Sequence, residues 1–225
     1  MTGVTTMVEL NNNELIFRFP DVHKNAVCSV SFQRTLRIPD DNRAYSLPPG
    51  LGKFPMEHVE DCVKHLPKKW SKQGGVFLPM YQSEALWISF TSSEDYPFAI
   101  KIAAGKINAV TGEAWSNDLS GEPQDYLVVP EQPWLDGFCI QKGLIRQFVA
   151  MHLGEGYTAE EQLTDQAEVG GLQIIAYPMK RGHYERLKKT VFHEFSHGDY
   201  CLKSSMGLAP GGLMRQEVYE DEYGI

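Results

Sequence analysis

The chain has 225 residues, with 21 Lys and Arg against 29 Asp and Glu for a net charge of −8, and 42% of it is apolar. That mix supplies one sizeable core or two small ones and excludes a disordered chain as the default. The acidic balance, with a pI near 5.4, argues against nucleic acid or an anionic membrane as a partner, and no apolar run reaches the length that spans a bilayer.

Cys28, Cys62, Cys139 and Cys201 lie far apart, without the CxxC pairs of zinc ribbons or dithiol enzymes. Cys28 and Cys139 read as small core residues. Met1 to Glu9 lacks the basic and then apolar pattern of a secretory signal. The expectation is a soluble, cytoplasmic protein in a reducing compartment.

After a polar start, Glu14 to Phe19 is a β-rich run stopped by Pro20. Cys28, Val30, Phe32, Leu36 and Ile38 then alternate with polar residues, which predicts a strand with one buried face. Arg34 breaks that face and calls for a carboxylate partner or a place at the sheet's end. Pro39 to Asn42 is a turn, and Leu47 to Lys53 is a Pro/Gly loop. Pro55 to Leu66 reads as a helix with Val59, Cys62, Val63 and Leu66 on one face, and its His58 and His65 read as surface residues. Lys64, Lys68, Lys69 and Lys72 around Trp70 read as a solvated helix end.

Val76 to Leu78, Ala85 to Phe90 and Phe98 to Ala103 read as strands, and Gly105-Lys106 predicts a hairpin into Ile107 to Val110. Ser116 to Gln124 is polar, with Gly121 and Pro123, and reads as a mobile loop or weak subdomain boundary. Tyr126 to Val129, Phe138 to Gln141 and Ile145 to Met151 continue the sheet. Thr158 to Glu161 has the spacing of a capping box, so a short helix starts there. Leu172 to Tyr177 reads as a buried strand.

The fold class that follows is α+β: a mainly antiparallel β-sheet system, in one sheet or two packed sheets, with two to three helices near 55–66, 158–165 and 183–197. The chain reads as a single domain over 1–225, with the weak boundary at 116–124 and a C-terminal helix and tail over 183–225. Trp87, Trp115 and Trp134 are expected in the core or at its margin. Trp134 with Glu131, Gln132 and Asp136 combines an aromatic platform with polar groups, which makes the loop at 130–137 a candidate ligand site; a turn stapled by a packed tryptophan explains it equally well.

The one motif that names a chemistry is Val191-Phe192-His193-Glu194-Phe195-Ser196-His197. On a helix, His193 and His197 stack on one face at a spacing that fits one zinc ion, and Glu194 lies where it could take a proton from metal-bound water. Two histidines do not complete such a site. Glu217, twenty residues on, with Asp221 four further, is similar to the gluzincin metallopeptidases. That resemblance implies zinc on His193, His197 and Glu217, Glu194 as base, and Asp221 steadying a histidine from outside. The competing reading is an amphipathic helix with two solvent-facing histidines near its C-terminus, where His and Lys suit the dipole. Gly198-Asp199 directly after the second histidine favours that reading.

At Pro130 to Gly137, Tyr157 to Leu163 and Met206 to Gly212 the chain resembles a group of uncharacterised microbial proteins, a likeness that runs from about Leu15 onward. It implies no reaction. Those proteins run on beyond the equivalent of Tyr223-Gly224, which implies that this chain is a shortened form.

Two functions result. The first is a non-catalytic binding or interaction protein whose partner is a protein or a small molecule. The second is a zinc-dependent hydrolase; zinc at this motif is the only cofactor that the sequence suggests.

Overall fold

The computed structural model describes residues 6–39, 41, 43–141, 143–194, 213–214, 216, 218–222 and 224–225. In chain order its elements are β1 (Met7–Asn11), β2 (Glu14–Arg18), β3 (Val27–Thr35), β4 (Ala44–Tyr45), β5 (Glu57–His58), α1 (Lys68–Gln73), β6 (Val76–Phe77), β7 (Ala85–Ser92) and β8 (Phe98–Ala104). They continue as β9 (Ile107–Asn108), β10 (Leu127–Val129), β11 (Trp134–Leu135), β12 (Gly137–Gln141), β13 (Leu144–Val149), α2 (Ala159–Thr164), β14 (Leu172–Pro178), α3 (Arg181–Glu194) and β15 (Leu213–Met214). The fold is α+β and almost wholly antiparallel, as the alternating pattern requires. No described helix is long and apolar enough to cross a membrane.

The larger sheet runs β1-β2-β3-β7-β13-β15-β4, with β11 joined to β7 and β12 to β13. Its centre is the long β3–β7 pairing, from Cys28 opposite Ser92 to Thr35 opposite Ala85. The second sheet is β10-β8-β14 with β9 beside β8, and β5 and β6 form a small ribbon. One core joins the two larger sheets: Phe17, Val30, Phe32, Ile88 and Phe90 from the first pack with Phe98, Ile100, Ile102, Leu127 and Val129 from the second. Each such side chain removed from water contributes about 1.5–3 kcal/mol.

β8 is buried on both faces. Phe98, Ile100 and Ile102 enter the main core, while Ala99 packs with Tyr126 and Val128 on the outer side. Lys101 also lies in β8 and is 0% exposed. Its ammonium donates to the Asp125 carboxylate at 2.5 Å and to the Asp118 carbonyl, and it sits 5.3 Å from the Trp115 ring centre. The 116–124 segment is tied down at further points: Tyr177 donates its hydroxyl to the Asn117 carbonyl, and the Ser120 N–H donates to Asp125.

Several local expectations are met. Arg34 finds its carboxylate in Glu84, at 2.6 Å, with the guanidinium over the Phe54 ring. Thr158 and Glu161 form the capping box that starts α2. The Gly105-Lys106 hairpin joins β8 to β9, and Gly105 is required there twice over. Its φ is +56°, and an added Cβ would stand 2.6 Å from Glu160 Cβ. Glu160 is buried, and its carboxylate accepts from the N–H groups of Glu168, Val169 and Gly170.

Three expectations need correction. The 55–66 segment is not an α-helix but β5 followed by a 3-10 turn at Val59–Cys62, and the helix comes later, at Lys68–Gln73. The burial here has a two-residue step: Phe54 and Met56 enter the core, whereas Val63 on the expected helical face is 48% exposed. Tertiary burial overrode a pattern too short to hold a helix by itself. Next, β3 ends at Thr35, and Leu36 is exposed. Its carbonyl and the Ile38 N–H are taken by the Gln147 side chain, which sends Ile38 into a separate small cluster with Ile145 and Met214. Finally, the polar start contains β1, paired with β2 through a two-residue turn in which Asn12 and Asn13 both have positive φ. Asn-Asn suits such a turn, and that was its sequence signal.

Candidate functional site

Three segments far apart in sequence meet beside the Tyr96 ring. The first is the β2–β3 connection, closed by a bond from the Phe19 N–H to the Ala26 carbonyl. Within it the Asn25 N–H donates to Nδ1 of His23 at 3.0 Å, so a neutral His23 carries its proton on Nε2. The second is the turn at Ser93–Asp95 between β7 and β8, where Glu94 has φ 49° and ψ 40°. A non-glycine residue in the left-handed region is a local strain that the surrounding structure must hold. The third is the first part of α3, which starts after Pro178 and presents Tyr184 and Lys188 on one face at a four-residue spacing.

The rings form the floor. His23 stacks on Tyr96 with centroids 5.5 Å apart and meets Tyr184 edge-on at 5.1 Å; Tyr96 and Tyr184 are 4.1 Å apart. Tyr96 donates its hydroxyl to the Met179 carbonyl at 2.7 Å, and burial, reinforced by Tyr184, pushes its phenol up to about 12. Tyr184 is 3% exposed, and its buried hydroxyl makes no well-aligned hydrogen bond; the Lys188 ammonium is the polar group that engages it, and that contact, with Glu94, holds the ammonium above its usual range.

The rim carries charge. Glu94 Oε2 accepts from the Asn25 side chain at 2.5 Å and from Lys188 at 3.1 Å. The Lys188 hydrogen bond and charge, with Lys24 nearby, hold the Glu94 carboxyl below its usual range. Arg181 does the same for Glu185, one turn along α3, through a 2.7 Å bond. Together these groups border an open cavity of about 390 Å³ that Lys24 and Lys189 also line. That volume lies at the small end of the range for ligand pockets.

The described residues that sequence reasoning singled out are not part of this cavity. His193 and Glu194 are in the last described turn of α3, while His197 and Glu217 lie outside the described residues. Among the described residues no three His, Cys, Asp or Glu side chains are grouped to hold a metal ion. Asp221 accepts the Tyr126 hydroxyl at 2.7 Å and the N–H groups of Gly224 and Ile225.

In the 130–137 loop, Gln132 and Asp136 are buried and Trp134 is half-buried. The tail lies along this loop. Gln216 accepts from the Asp136 N–H and donates to the Trp134 carbonyl, and the Tyr219 N–H donates to Gln132. Asp136 Oδ1 has no partner. Burial pushes its carboxyl up to about 7, against a hydrogen bond from Trp134 that favours the charged form.

Comparison with protein-family models, curated proteins and solved structures gave no match. The geometry therefore carries the functional reading. Sequence reasoning missed His23, Glu94 and Tyr184 as a group. Ser-Ser-Glu-Asp-Tyr-Pro at 92–97 signals a turn, but nothing in a Glu announces a left-handed conformation.

Proposed function

We propose that this chain is a non-catalytic binding protein and that its ligand is a small polar molecule held in the cavity bordered by His23, Glu94 and Tyr184. The observation that carries the reading is the open cavity itself, where His23, Asn25, Glu94 and three lysines converge from three segments over a Tyr184 whose buried hydroxyl makes no well-aligned hydrogen bond. A ligand's polar atoms would meet the charged and hydrogen-bonding groups of the rim, and the strained Glu94 turn fits a site that is organised in advance. Binding suits these groups better than proton transfer does. Both rim carboxylates are held well ionised by cationic neighbours, whereas a general base works best with a pKa near the operating pH.

The test is an NMR screen of polar small molecules against the intact chain. Expected are compounds that shift the amide signals of Asn25, Glu94 and Tyr184, are recovered unchanged, and lose affinity on His23→Ala. A screen broad in charge and size that leaves those signals in place would remove the reading.

A second reading rests on α3, whose last described residues, His193 and Glu194, are the first two of the zinc motif. His193, His197 and Glu217 would hold the ion, which would supply an activated water, and Glu194 would accept its proton. Stoichiometric zinc in the purified protein, lost on replacing His193 and His197 by Ala, supports it; a metal-free preparation from zinc-supplemented medium removes it.

A further inference from the structure

The cavity's donors and acceptors do not balance. Glu94 is matched by Lys188 and Glu185 by Arg181. Lys24 and Lys189, on the same rim, have no carboxylate within ion-pair distance among the described residues. The His23 Nε2–H adds a neutral donor, because Nδ1 of His23 is already occupied by the Asn25 N–H. What remains open is mainly donors, two of them cationic. They stand on a chain whose net charge is −8. A general positive field does not account for them, and an anion that settles here must be recognised locally.

We propose that the pocket takes a small molecule bearing an oxyanion, a carboxylate or a phosphate ester, with Lys24 and Lys189 supplying charge and the His23 Nε2–H supplying direction. This rests on the cavity being the ligand site. Charge-assisted bonds to an oxyanion are the strong ones, and a neutral ring N–H beside two flexible ammoniums fixes the orientation that the ammoniums leave free. The ring floor restricts the ligand to the open side of the cavity.

The experiment titrates the intact chain by NMR with inorganic phosphate, with citrate and with sodium chloride at matched ionic strength. Phosphate or citrate should shift the Asn25, Glu94 and Tyr184 amides saturably, with whichever binds tighter marking the source of the oxyanion. The surface double variant Lys24→Ala/Lys189→Ala should weaken that binding about tenfold, and His23→Ala should weaken it severalfold with the fold unchanged by circular dichroism. Equal shifts with chloride, or unchanged affinity in the double variant, overturn the proposal. If phosphate and citrate leave these amides unmoved while neutral or cationic compounds from the screen shift them, the oxyanion is wrong and the pocket stands. If nothing shifts them, both go.

Discussion

Two regions of the molecule set a lysine ammonium beside an aromatic ring. On the outer face of the second sheet, Lys101 is fully enclosed by Asp125, the Asp118 carbonyl and Trp115, and each partner is itself held by the 116–125 segment or by β8. Beside Tyr96, Lys188 lies 5.0 Å from the Tyr184 ring centre and bonds to Glu94, yet Glu94 is 59% exposed and the Tyr184 hydroxyl below has no well-aligned bond. The first network is closed. It fastens a long polar loop to a strand and has no capacity left for a visitor. The second is open on one side and loosely bonded beneath, which is the condition in which a polar cluster can recognise something else.

The sharpest way to break this comparison is to open the closed network. Lys101→Ala leaves a hole in the sheet and the half-buried Asp125 without its cation, and stability by urea denaturation should fall by about 3 kcal/mol. Pairing Lys101→Met with Asp125→Asn removes both charges and should recover most of the loss. A loss under about 1 kcal/mol for Lys101→Ala would mean that the enclosure is not holding the loop.

Asp136 gives the next largest effect, because it is buried like Lys101 but has one oxygen unmet. Its folded-state value stands near 7, above the usual carboxylate value of about 3.9. Below the lower value both states keep the proton and nothing is lost. As pH rises toward 7 the unfolded chain ionises first, so stability falls; above 7 the loss is complete. Asp136→Asn should therefore stabilise the protein at pH 8 by an amount on the order of 3 kcal/mol and do little at pH 4. Denaturation curves at the two pH values check this, and equal effects at both would contradict it.

The smallest effect separates the two tyrosines. Tyr96→Phe gives up the bond to the Met179 carbonyl and should cost about 1–2 kcal/mol. Tyr184→Phe removes a hydroxyl whose contact with Lys188 is poorly aligned, so thermal denaturation should show a smaller loss than Tyr96→Phe or none. A comparable loss for both would show that Tyr184 is satisfied without any ligand.

The parts of the fold legible in sequence were those specified by side-chain alternation or by local turn chemistry. Cys28, Val30 and Phe32 announced the inward face of β3, Thr158 and Glu161 announced α2, and Arg34 on an apolar face announced Glu84. What was not legible depended on partners distant in sequence. The 55–66 segment offers two apolar patterns, and only the presence of a core over Phe54 and Met56 decides between them. The cavity is less legible still, since His23, Glu94 and Tyr184 come from three connections that sequence spacing does not relate. The zinc motif stood out because it is local, and half of it, His197 and Glu217, lies outside the described residues.

β15 lies between β13 and β4, antiparallel to the first and parallel to the second. The sheet's far margin thus joins a segment from the first fifth of the polypeptide to one from near its end, and Met214 fills the hydrophobic cluster shared by Ile38 and Ile145. Closing so long a loop is entropically expensive and topologically slow. During synthesis, Ala44–Tyr45 must wait, unzipped, for a neighbour made much later, which leaves β13 with a bare hydrogen-bonding edge on the nascent chain and gives chaperones a defined interval in which to act.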